Sequence, residues 1–250
     1  MKQSDFLAEN STCQFCDRVA FMATTKSWLG KPRESVVADT PDDWFEYLAR
    51  TKTLGLRILR RSQNDPHNSD RMSAGFVGGG GDWMLAARRA NALDYWMARW
   101  EVWNQNAPNR RIWRVTYALV ATAPVSQSDE ADRDKAFAAL EAALARIHEF
   151  SSGHNCGGFT ECFGRARESL SQVRADNGYH KDLYPPGELS ASSQALLDAA
   201  QSAWVFGGMG SWNDMGFDGE DGKEYEAASE QLFSALVAAI CVAANESDRR

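Results

Sequence analysis

The hydrophobic period of this chain changes near residue 128, and that change constrains the fold more than any other feature. Successive side chains of a strand point to opposite faces, whereas those of a helix return to one face every three or four residues. From Tyr95 to Trp103, the residues Trp96, Ala98, Trp100 and Val102 alternate with Met97, Arg99 and Glu101. From Ile112 to Thr122, Trp113, Val115, Tyr117 and Leu119 stand opposite Arg114 and Thr116. Leu54, Leu56 and Ile58 alternate in the same way, and the whole run from Met72 to Ala123 reads as strand. Arg89-Ala90-Asn91-Ala92 and the stretch Asn104 to Asn109 supply polar turns between these runs. The pattern predicts an antiparallel β-meander of about four or five strands over residues 53–123, aromatic on one face and streaked with Arg on the other.

Ahead of the meander, Thr40 is placed to cap a helix, Pro41 suits its first position, and Asp42 and Asp43 suit the positive end of its dipole. Trp44, Phe45, Tyr47 and Leu48 then form its apolar face. Behind the meander, Ser128 with Asp129, Glu130 and Asp132 signals a helix start, followed by Phe137, Leu140, Leu144 and Ile147 at helical spacing. Phe159, Phe163, Ala166, Leu170 and Val173 make a second stripe. A third runs from Ser190 through Leu196, Ala200 and Trp204, and a fourth opens near Lys223 with Tyr225, Leu232, Leu236, Ile240 and Ala243. Strands followed by helices define an α+β class, with about four C-terminal helices expected on the aromatic face of the sheet. No internal repeat or low-complexity linker divides the chain. The expectation is one domain over residues 1–250, with a sheet-rich half at about 40–123 and a helical half at about 128–246.

Net charge is −7, but it is distributed unevenly. Arg50 to Arg114 holds twelve Lys and Arg against five Asp and Glu, while Asp198 to Asp248 holds ten acids and one Lys. Phosphate neutralisation dominates nucleic-acid affinity, so an acidic chain is a poor candidate for that partner. Arg88, Arg89, Arg99, Arg110, Arg111 and Arg114 lie interleaved with Trp, yet lack the aromatic pattern of an RNA-recognition motif; pairing with carboxylates or lying over a sheet face explains them better. The N-terminal residues carry no uninterrupted apolar run of the kind a secretory signal needs. Leu236 to Ala244 is about nine residues, short of the roughly 20 that span a bilayer. A soluble, cytoplasmic chain is therefore expected.

The most unusual passage runs from Gly207 to Asp218, where Gly207, Gly208, Gly210 and Gly216 frame Trp212, Asn213 and Asp214. Glycines permit positive φ and close backbone approach, while the framed side chains can stack, donate and accept; this suits a recognition loop, and also an ordinary connector in which Trp212 plugs the core and Asp214 makes a turn. The acids Asp218, Glu220 and Asp221 follow at offsets that do not fit a calcium-binding EF-hand. Cys13 and Cys16 have the spacing of half a zinc site, with His154, Cys156 and Cys162 as conceivable companions, but a second CxxC is missing and no metal is expected. Gly78 to Gly81 reads as a hairpin connection, because a strand pattern and not a helix follows it. No GxSxG, HExxH or Walker pattern occurs, so no catalytic residue or cofactor is assigned.

Two functions follow from class alone. The first is a non-catalytic acidic protein-binding protein, of the general character of bacterial toxin-neutralising immunity proteins, with a basic protein as partner. Its contact residues would be Trp212 as desolvated anchor, Asn213 and Asp214 beside it, and Asp218, Glu220 and Asp221 as steering charges. The second is an enzyme or small-ligand binder with its pocket at the 207–218 loop, Asp214 acting as acid or base and Trp212 as a lid.

Overall fold

Thr40 does start a helix: its hydroxyl accepts from the Asp43 amide at 3.1 Å, with Pro41 in the first turn. The computed structural model describes residues 15–25, 33–63, 69–125, 132–172 and 189–246. Within them the strands are β1 (Cys16–Thr25), β2 (Arg33–Ala38), β3 (Gly55–Arg61), β4 (Asp82–Arg88), β5 (Ala92–Val102) and β6 (Trp113–Pro124). The α-helices are α1 (Pro41–Arg50), α2 (Asp70–Ser73), α3 (Arg133–Gly153), α4 (Gly158–Gln172), α5 (Ala191–Ala203) and α6 (Gly219–Ala244). A 3-10 turn covers Trp212–Asp214. The chain forms two compact units, Met1–Arg61 with Asp82–Ser128, and Ser62–Gly81 with Asp129–Arg250.

The first unit is a six-stranded sheet in the order β2-β1-β6-β5-β4-β3. β3 to β6 form the antiparallel meander that the alternation predicts. The sheet as a whole is mixed, because β1 lies parallel to β6 and antiparallel to β2. Trp96 opposes Leu119 on β6 and Leu85 on β4, while Phe21 opposes Tyr117, so these side chains share a face. Within this unit the helix on that face is α1. Trp44 stacks on Phe21 with centroids 4.3 Å apart and meets Trp96 edge-on at 5.7 Å, and Leu48 completes the buried cluster. Each such buried side chain contributes about 1.5–3 kcal/mol from area alone. Farther along the same face of β5, Trp100 and Val102 are exposed.

Three Arg of the streak are paired with carboxylates, Arg99 and Arg114 on the opposite face and Arg89 at the β4–β5 turn. Arg99 bonds Glu34 at 2.9 Å, Arg114 bonds Asp17 at 2.9 Å and lies over the Trp103 ring, and Arg89 bonds Asp94 at 2.7 Å on the neighbouring hairpin.

The second unit holds the four expected C-terminal helices, α3 to α6. They bury their apolar stripes against one another through the α3–α6, α4–α5, α5–α6 and α3–α4 contacts. Ser190 caps α5 through the Ser193 amide, and Asp132 caps α3. The Ser128 start signal and Val173 lie outside the described residues. α6 begins four residues before Lys223, at Gly219. By length and composition it is apolar enough to cross a membrane, with a mean hydropathy of 1.7 over its 18-residue window. More than half of that window is buried inside the protein, the pattern of a core helix with apolar residues on most of its sides.

The connection from β3 to β4 also belongs to this unit. Sequence alternation reads Met72 onward as strand; the chain instead forms the short helix α2, which Ser69 caps by accepting from the Met72 amide. Gly80 and Gly81 in the following turn adopt positive φ.

Candidate functional site

The glycine-framed loop folds around Ser211. Its hydroxyl accepts from the Asn213 amide and donates to the Gly207 carbonyl, and the Asp214 carboxylate reaches back to the amides of Ser211 and Gly210. This reciprocal cap fixes a single 3-10 turn, with Gly210 at φ 83°. Such a turn needs a short acceptor at each end, which Ser211 and Asp214 provide.

Trp212 points inward from that turn and is 0% exposed. Its ring meets Phe159 at 5.3 Å, Phe163 at 5.2 Å and Tyr225 at 5.4 Å. Its indole N–H donates to Ser229 at 2.8 Å, and the Tyr225 hydroxyl donates to its carbonyl oxygen at 2.5 Å. Tyr225 and Ser229 are four residues apart and so lie on one side of α6. The ring is thus sealed in the core, as the connector reading of this loop has it, and contact by Trp212 with a partner or ligand would require this turn to open.

Asn213 is equally committed. Its side-chain oxygen accepts from Arg71 Nη1 at 2.7 Å, and its amide nitrogen donates to the Arg71 carbonyl at 3.2 Å. Arg71 is 1% exposed; it also bonds Glu230 at 2.9 Å, bonds Glu226, and lies over the Tyr225 ring. Burial pushes the Tyr225 hydroxyl above its ordinary range, which keeps it a neutral donor. Sequence reasoning missed Arg71, because its carboxylate partners come 155 and 159 residues later.

Asp214, Asp218, Glu220 and Asp221 are exposed. Asp218 stands at the N-cap of α6, but its side chain caps no amide. Glu220 pairs with Lys223 at 2.6 Å. Asp221 lies 3.4 Å from His154 Nε2. The other ring nitrogen of His154 donates to the Phe150 carbonyl at 2.8 Å, and the ring stacks on Phe150 and meets Phe217 edge-on. The Phe150 hydrogen bond, with a smaller effect from Asp221, holds His154 above its ordinary range despite partial burial. Asn155 at φ 53° and Gly157 at φ 52° make the tight turn after α3 that sets this ring in place. Glu224 is held below its ordinary range by the two-pronged Arg146 contact, at 2.6 and 2.7 Å.

A shallow, open hollow is lined by Met215, Phe217, Lys223, Tyr225, Glu226 and Glu230, so Glu226 and Glu230 are the carboxylates in its lining. Met209, between Gly208 and Gly210, is fully exposed. The apolar groups that this region offers to solvent are therefore methionine and phenylalanine side chains, whereas its tryptophan is core.

The cysteine candidates do not assemble among the described residues, where no group of three or more His, Cys, Asp and Glu is arranged to hold a metal. Cys13 lies outside the described residues, and Cys16 belongs to a different unit from His154, Cys156 and Cys162. Burial pushes the Cys156 thiol up, away from the thiolate that a nucleophile or ligand needs. No known protein family, curated protein or solved structure matches this chain.

Proposed function

We propose that this chain is a non-catalytic, cytoplasmic protein-binding protein whose second unit offers an acidic face to a basic partner, in the manner of immunity proteins that neutralise bacterial toxins. The observation that carries the reading is the division of charge between the units. The first unit holds sixteen Lys and Arg against eleven Asp and Glu, a net of +5; the second holds eleven against twenty-three, a net of −12, and together they give the −7 of the whole chain. A field of that size concentrated on one unit attracts a basic partner and speeds its encounter. Asp218, Glu220 and Asp221 are exposed at the start of α6, and the hollow of Met215 and Phe217 has Glu226 and Glu230 in its lining, so apolar surface and carboxylates occur together there. Trp212, Asn213 and Asp214 support that surface from behind, by the bonds that hold their turn.

The alternative, an enzyme or ligand binder at the glycine loop, has less to rest on. Asp214 spends its carboxylate on two backbone amides, and the Trp212 ring is core.

The test is association with the partner recovered from the native host. Reversing Asp218, Glu220 and Asp221 to Lys should slow association at least about tenfold at low salt and flatten its salt dependence, with the fold unchanged by circular dichroism. An on-rate that is the same for the reversed protein and the parent removes the reading.

A further inference from the structure

We propose that Phe76, Val77 and Met209 form an apolar tip that seats in a basic-rimmed apolar cleft of the partner protein. The inference rests on the protein-binding reading above and names the anchor of that contact.

The three residues come from segments far apart in sequence that touch within the second unit. A Cβ placed on Gly75 would stand 2.3 Å from both the carbonyl carbon and the oxygen of Gly207, and 2.7 Å from the Gly208 nitrogen, so the two backbones are in direct contact. Phe76 follows one side of that contact and Met209 the other. The paired hydrogen bonds of Arg71 with Asn213 pin the same two segments a few residues away.

Phe76 is 71% exposed, Val77 51%, and Met209 wholly so. Single exposed apolar residues are ordinary, but two loops whose backbones touch and which between them expose three such side chains offer surface of the kind that marks an interaction site. The loop that bears two of them is well fixed. The Phe76 amide donates to the Ser73 carbonyl at 3.0 Å, the Gly79 amide to the Phe76 carbonyl at 2.9 Å, and the Gly80 amide to the Ser73 hydroxyl at 3.0 Å. A patch held in this way loses little conformational freedom on binding.

Charge selects the occupant. The tip rises from the unit of net −12, so a cleft rimmed with Lys and Arg complements it. Two copies meeting tip to tip would bring those negative units together, at a cost in repulsion.

The experiment uses the full chain, expressed in its host with a photo-reactive benzophenone side chain in place of Phe76. Irradiation should yield one dominant adduct with a protein of net positive charge. That protein, once purified, should bind the parent chain, and Phe76→Ser, Val77→Ser and Met209→Ser should each weaken it, the strongest by about tenfold or more and chiefly through faster dissociation. All three positions are exposed, and circular dichroism confirms the fold of each variant. No adduct, an adduct with a second copy or with an acidic protein, or an affinity that none of the three variants alters overturns the proposal. Reversal of Asp218, Glu220 and Asp221 without effect on the on-rate, while the tip variants still weaken binding, removes the acidic-face reading and leaves the tip standing.

Discussion

Arg71 and Asn213 hold each other twice: the guanidinium donates to the Asn213 side-chain oxygen, and the Asn213 amide donates back to the Arg71 carbonyl. Since Arg71 also meets Glu226 and Glu230, one buried cation fastens the short helix α2, the glycine loop and α6 together. Removing it leaves the Asn213 oxygen without its donor, while Glu226 and Glu230 keep access to water. Arg71→Ala and Asn213→Ala should each cost about 1–3 kcal/mol, the range for a buried hydrogen-bonding group left unpaired. Urea unfolding followed by far-ultraviolet circular dichroism measures both. A loss under about 1 kcal/mol for Arg71→Ala would show that the network is not built as described.

Trp212 separates a structural role from a binding one. Trp212→Ala should destabilise the protein by about 3–5 kcal/mol, as deletion of a large core ring does. Trp212→Phe keeps an aromatic ring but loses the bond to Ser229, and should cost about 1–3 kcal/mol. Denaturation midpoints decide the matter; an alanine variant as stable as the parent contradicts a buried ring.

How legible was this in the sequence? The meander from β3 to β6 was, because alternation over seven to twelve residues leaves little choice of state, and the caps at Thr40 and Ser190 were legible for the same local reason. The parallel pairing of β1 with β6 was not: nothing in Cys16–Thr25 specifies a partner almost a hundred residues away. The glycines around Trp212 correctly marked a tight turn. They did not decide between a recognition loop and a core plug, because the ring is drawn inward by Phe159, Phe163, Tyr225 and Ser229, whose convergence depends on helix packing.

Gly75 has no room for a side chain. Gly75→Ala would drive a methyl group into the Gly207 carbonyl, a backbone obstacle that cannot rotate away. The expected loss is about 1–3 kcal/mol, the usual cost of overpacking, read as a lower midpoint of thermal or urea unfolding. Gly208→Ala is the control, since a Cβ there meets nothing within 4 Å.

His154 makes stability depend on pH. Its folded pKa is raised, chiefly by the Phe150 carbonyl and then by Asp221. A raised histidine contributes stability that is fully present below the unfolded value of about 6.5 and is lost as pH rises through the higher folded value. The thermal midpoints of His154→Gln and the parent should therefore differ most in mildly acidic buffer and converge above the folded pKa. Proton resonances of the ring, followed through a titration, should give a midpoint above 6.5. A midpoint at or below that value refutes the assignment.

The excursion between β3 and β4 sets an order of events during synthesis. Ser69 and Arg71 leave the ribosome before β4 exists, yet their partners Asn213, Glu226 and Glu230 are translated 142 or more residues later. A nascent chain that has reached Pro124 contains every strand of the sheet, with a charged arm still waiting for its counterpart. A gene cut at residue 128 would therefore not deliver one finished half of the molecule; it would deliver the sheet with a fragment of the other half attached.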